Sequence, residues 1–124
     1  MTSYQLGFGN VAIYDDHTLE LIPREGEIGE AEVKAYLRFR DEQLSSPYRI
    51  LLNQQNRSSY SFAAQQAFMA DSQSEVYAVI AQSKAARYTF EGVFGHKKPT
   101  PHYAFFDNHD EALVWLLSFP LEEI

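Results

Sequence analysis

Two short apolar runs, Tyr48-Arg49-Ile50-Leu51-Leu52-Asn53 and Val76-Tyr77-Ala78-Val79-Ile80-Ala81, limit the folds open to this chain more than any other feature. Runs of this length without polar alternation belong to strands buried on both faces. Such strands need helices packed on them, and the segments around the runs have helical spacing. Over Gly29 to Gln43, Val33, Tyr36, Leu37 and Arg40 recur on one face, with the Arg40 stem able to cover apolar surface. Tyr60 to Ala70 carries the stripe Tyr60, Ala64, Ala67 and Phe68, with Ser58 or Ser59 as its expected N-cap. Ser83 precedes a third helix over Lys84 to Gly95, on which Ala86, Phe90, Val93 and Phe94 share a side.

The ends of the chain follow the same logic. Val11 and Ile13, then Leu19 and Leu21, alternate on either side of Asp15-Asp16-His17, which predicts a hairpin. Gly7 and Gly9 around Phe8 predict a bend near the start of its first strand. After Pro99 and Pro101, Tyr103-Ala104-Phe105-Phe106 reads as the last strand. Asn108 with Glu111 three residues later forms a capping pattern, and the helix that follows is expected to bury Ala112, Leu113, Leu116 and Leu117. The order predicts one α/β domain over residues 1–124. Its sheet is mixed and mostly parallel, with about five strands, an N-terminal hairpin and four helices.

Composition removes several functions. No cysteine is present, so a disulfide framework, a thiolate zinc site and a cysteine nucleophile are all excluded. The opening residues lack a basic and apolar leader, and no run is long enough to span a bilayer, so a cytoplasmic protein is expected. A net charge of -7 opposes phosphate neutralisation and argues against nucleic-acid binding. The four histidines are scattered over turn, loop and cap positions, and no metal is expected. There is no Gly-x-Ser-x-Gly elbow, dinucleotide fingerprint or P-loop, so neither catalysis nor a cofactor is expected.

The closing segment Tyr103-Ala104-Phe105-Phe106-Asp107, followed by Asp110-Glu111-Ala112-Leu113-Val114-Trp115-Leu116-Leu117, resembles bacterial STAS-like proteins of the SpoIIAA-like and SEC14-like type. Ala81-Gln82-Ser83-Lys84-Ala85-Ala86-Arg87 resembles their strand-to-helix junction. The resemblance implies a SpoIIAA-like fold and a non-catalytic interaction module with a protein partner, homodimerisation included. Its phosphoswitch is not carried over, because Ser61-Phe62-Ala63-Ala64 lacks the acid, the serine pair and the glycine of that motif.

Charge supplies the candidate surface. Between Lys84 and Lys98 four cations meet one anion, a net +3 that leaves -10 on the rest of the chain. Lys84, Arg87, Tyr88, His96, Lys97 and Lys98 are therefore the expected interaction surface, open to an acidic protein or to peripheral contact with an anionic lipid surface. The alternative is a small apolar or anionic ligand held in a groove beside the helix at 84–95.

Overall fold

The computed structural model describes residues 1–124. In chain order the elements are β1 (Thr2–Gln5), β2 (Gly9–Asp15), β3 (Thr18–Pro23), β4 (Gly26–Ile28), α1 (Glu30–Gln43), β5 (Tyr48–Asn53), β6 (Ser58–Tyr60), α2 (Phe62–Ala70), β7 (Glu75–Ile80), α3 (Lys84–Phe94), β8 (His102–Phe106) and α4 (His109–Ser118). Six strands form one sheet in the order β1-β2-β3-β5-β7-β8. The first three pair antiparallel, and β3, β5, β7 and β8 run parallel. The fold is therefore the expected α/β architecture with four helices and an antiparallel N-terminal hairpin, enlarged by the edge strand β1 and a separate parallel pair, β4 with β6.

Parallel strands that advance steadily in one direction through right-handed crossovers place the connecting helices on one face. Burial confirms it. Ile50, Leu52, Tyr77 and Val79 point into the larger core with Val33, Phe68, Phe90 and Phe94 from α1, α2 and α3. Their strand neighbours Leu51, Val76, Ala78 and Ile80 point the other way, against Ala112 and Leu116 of α4. α4 is the one α-helix on this second face, joined by Phe119 and Ile124 from the chain end, and its buried stripe is narrow: Leu113 is partly buried and Leu117 is 43% exposed.

The bend expected near Phe8 is a tight connection between β1 and β2, in which Leu6 and Gly9 exchange backbone hydrogen bonds of 2.8 and 3.1 Å. Gly9 sits at φ 155, and a Cβ there would fall 2.1 Å from the carbonyl oxygen of Ile22. Only glycine fits. Ser58 and Ser59 do not cap α2. They lie in β6, drawn out by pairing with β4, while the Ser61 hydroxyl accepts the Ala64 amide and caps the helix.

Arg40 differs from its expected role, because its charged end is buried as completely as its stem. All five guanidinium donors are used. Nε and Nη2 reach Asp41 Oδ1 at 3.0 and 2.9 Å, Nη1 and Nη2 reach the two oxygens of Asp71 at 3.0 and 2.9 Å, and Nη1 reaches Glu75 Oε2 at 2.8 Å. Its Cζ lies 4.4 Å from the centre of the Tyr48 ring. This ion cluster closes the end of the sheet where β5 and β7 begin. No helix is long and apolar enough to cross a membrane.

Candidate functional site

The opposite end of the sheet is open. In parallel α/β sheets, ligands bind outside the carboxyl ends of the strands, where successive helices leave on opposite faces. Here α3 leaves β7 on the first face and α4 leaves β8 on the second, and a crevice of ≈ 920 Å³ lies between them. Three segments line it: residues 53–58 after β5, the turn from Ile80 through Gln82 and Ser83 to Thr89 of α3, and Asp107-Asn108-His109 at the start of α4. Carboxamides dominate the lining, with Asn53, Gln54, Gln55, Asn56, Gln82 and Asn108. They supply both donors and acceptors. Ile80, Ala85 and Ala86 add an apolar patch, while Arg57 and Asp107 are the charged members besides the ionisable His109. A smaller hollow of ≈ 240 Å³ shares Asn56 and continues toward Gln5, Leu6 and Arg24.

Short turns fix the crevice walls. Ser83 accepts the Ala86 amide at 3.1 Å and Asn108 accepts the Glu111 amide at 2.9 Å, so each helix begins on a side-chain cap. Gln82 donates to the Asp107 carbonyl at 3.1 Å and Arg87 Nη2 stands 3.6 Å from the Asp107 carboxylate, tying the two walls together.

Behind His109 stands a buried carboxylate. Glu20 points from β3 toward α4 and accepts three hydrogen bonds: His109 Nε2 at 2.8 Å and the Tyr14 hydroxyl at 2.7 Å on Oε1, and Asn53 Nδ2 at 3.2 Å on Oε2. Burial pushes the Glu20 carboxyl up, but the bonds from His109, Tyr14 and Asn53 outweigh it and hold the group below the ordinary carboxylate range. Burial and the hydrogen bond to Glu20 push the Tyr14 hydroxyl well up. No group of three or more His, Asp or Glu side chains is arranged to hold a metal ion.

The residues expected from the charge pattern do not form one surface. Lys97 is fully buried, with Nζ 2.6 Å from the Gln73 carbonyl oxygen, 3.2 Å from Asp71 and 3.3 Å from Glu75. It belongs to the Arg40 cluster because two buried carboxylates there require compensation. Lys84 and Arg87 lie on the first turn of α3 near the crevice. Arg87 packs over the Phe105 ring at 5.1 Å and donates to the Ala81 carbonyl. Tyr88 is exposed midway along the same helix. His96 and Lys98 are exposed beyond its far end, roughly 16 Å away at 1.5 Å of rise per residue.

Glu20 and His109 escaped the sequence reading for different reasons. His109 is the first residue of α4, directly after the Asn108 cap, and that position accounts for it without a site. Glu20 carried a usable signal, a charge between Leu19 and Leu21 in a strand whose opposite face is also covered. Comparison of the chain with family models, characterised proteins and solved structures finds no match.

Proposed function

We propose that this chain is a small-ligand-binding domain of STAS-like architecture, its ligand seated in the crevice between α3 and α4. The observation that carries the reading is the crevice itself, a cavity of ≈ 920 Å³ rich in paired donors and acceptors at the carboxyl ends of β5, β7 and β8. Its polar lining favours a polar ligand over the apolar one that the sequence also admitted. Docking of a protein partner or a second copy on the basic segment is less well supported. Lys97 is spent inside the molecule, and the remaining cations are divided between the two ends of α3.

A two-dimensional amide NMR screen against polar small molecules is the test. Binding compounds are expected to shift the amides of Asn53 to Ser58, Gln82 to Ala86 and Asp107 to His109 together. Ala85 is exposed on the α3 wall, so Ala85→Trp should obstruct the crevice and weaken such binding about tenfold or more, with stability changed by less than about 0.5 kcal/mol. Shifts that cluster on α3 beyond Tyr88, or affinity untouched by the tryptophan, would move the site elsewhere.

A further inference from the structure

Tying α4 to the sheet requires no buried charge, because Ala112 and Leu116 already pack it there. Yet the helix begins with an imidazole held by a carboxylate whose side chain is only 8% exposed. Three donors from β2, β5 and α4 converge on that carboxylate, so it cannot turn away. An ionised carboxylate only accepts, which assigns the hydrogen to His109 Nε2 and, in the neutral ring, leaves the lone pair on Nδ1. Nδ1 makes no hydrogen bond, and the nearest charged atom, Asp110 Oδ1, is 4.0 Å away. His109 is 41% exposed and lines the crevice. His17 differs, because its Nδ1 is occupied by the carbonyls of Ser45 and Pro47 at 2.7 and 3.2 Å.

We propose that His109 is the reactive side chain of the crevice, a nucleophile toward the carbonyl carbon of a neutral acyl compound, with Glu20 as its positioning residue. The proposal rests on the crevice being a ligand site. A carboxylate that fixes one imidazole nitrogen and supports the charge formed on the ring is the arrangement nucleophilic and base catalysis require. The charged lining residues Arg57 and Asp107 offset one another, and Arg87 faces Asp107, so no net charge in the lining recruits an ionic acyl donor. In the first step the Nδ1 lone pair attacks the carbonyl carbon, the carbon–oxygen bond to the leaving group breaks, and its electron pair departs on that oxygen. Glu20 faces the resulting acyl-imidazolium through Nε2–H. Water then adds to the acyl carbon, the pair of the carbon–nitrogen bond returns to Nδ1, and the carboxylate and two protons are released.

The probe is p-nitrophenyl acetate with the whole chain, read as nitrophenolate release and by peptide mass spectrometry of the trapped acetyl group. The wild type is expected to release nitrophenolate about tenfold faster than His109→Gln, with His102→Gln matching the wild type. The acetyl group should lie on His109. Glu20→Gln should slow release severalfold, and long-range nitrogen–proton spectra should show that its His109 ring has lost the single Nε2–H tautomer of the wild type. Equal rates for wild type and His109→Gln, or an acetyl group on another residue, would overturn the proposal. Localisation of the acetyl group needs only the wild-type protein, so the answer does not depend on a variant folding. An unreactive His109 in a protein whose crevice amides still respond to ligands sinks this inference alone. A crevice that binds nothing in the amide screen sinks the reading beneath it.

Discussion

Replacing Arg40 by Met is expected to lower the stability of the fold by about 3 to 5 kcal/mol, the usual consequence of removing one partner from a buried ion pair. The methionine fills most of the volume of the stem but satisfies none of five hydrogen bonds. Asp71 and Glu75, both nearly inaccessible, would be left with Lys97 as their remaining cation. Arg40→Lys keeps the charge and loses the planar fork, so an intermediate loss is expected. Midpoints of urea unfolding measure both. A loss below about 1 kcal/mol for the methionine variant would mean that the cluster is solvated or rearranged in solution.

The same cluster sets an acid limit. Burial pushes the Asp71 carboxyl up, but the hydrogen bonds and charge of Arg40, followed by the charge and hydrogen bond of Lys97, bring it below its ordinary value. A carboxyl depressed in the folded state contributes stability that is fully present above its unfolded value, about 3.9, and is lost as the pH falls through the folded value. Unfolding free energy should therefore decline below about pH 4 in the wild type. The decline should be shallower in Arg40→Met. Parallel acid limbs for the two proteins would assign the sensitivity to other carboxylates.

Leu116→Ala is the second large effect, with an expected loss of about 2 to 5 kcal/mol. Leu116 is fully buried against Leu51, Val76, Ala78 and Ile80, and no other helix packs on that face. A cavity there could draw only on Phe106 of β8 and on Phe119 and Ile124 of the chain end. Leu117→Ala, on the half-exposed side of α4, should change stability by less than about 0.5 kcal/mol. Equal losses for the two leucines would show that α4 is rotated about its axis. Because α4 also carries His109, a loosened helix should weaken crevice binding as well, whereas the Leu117 variant should bind as the wild type does.

These effects rest on features that the sequence displayed unevenly. Ile50-Leu51-Leu52 and the run Val76 to Ala81 announced central strands because both faces of each are covered, which removes polar residues from the pattern. β1 gave no such signal, since an edge strand exposed at all four positions carries no burial pattern. The three-residue strands β4 and β6 were too short to show alternation, and their pairing displaced the start of α2 from Tyr60 to Phe62. Helical spacing placed Arg40 on a buried face, but the carboxylates that make its burial tolerable come from β7 and the turn before it, far along the chain. The burial of Lys97 is illegible in the sequence for the same reason. Its neighbours in sequence are exposed and its partners in space are not its neighbours in sequence. The crevice assembles three polar loop segments whose proximity follows from strand order, a property of topology and not of local composition.

The separation of the two sheet ends bears on how such a domain can diversify. The interlocked charges at one end leave each substitution there dependent on several others, so that end changes slowly or in concert. At the other end, Gln55, Arg57 and Ala85 line the crevice with exposed side chains that make no hydrogen bond to the rest of the molecule. New recognition properties can therefore be tried by altering loops one at a time, while the rigid charged base preserves the frame on which they are mounted.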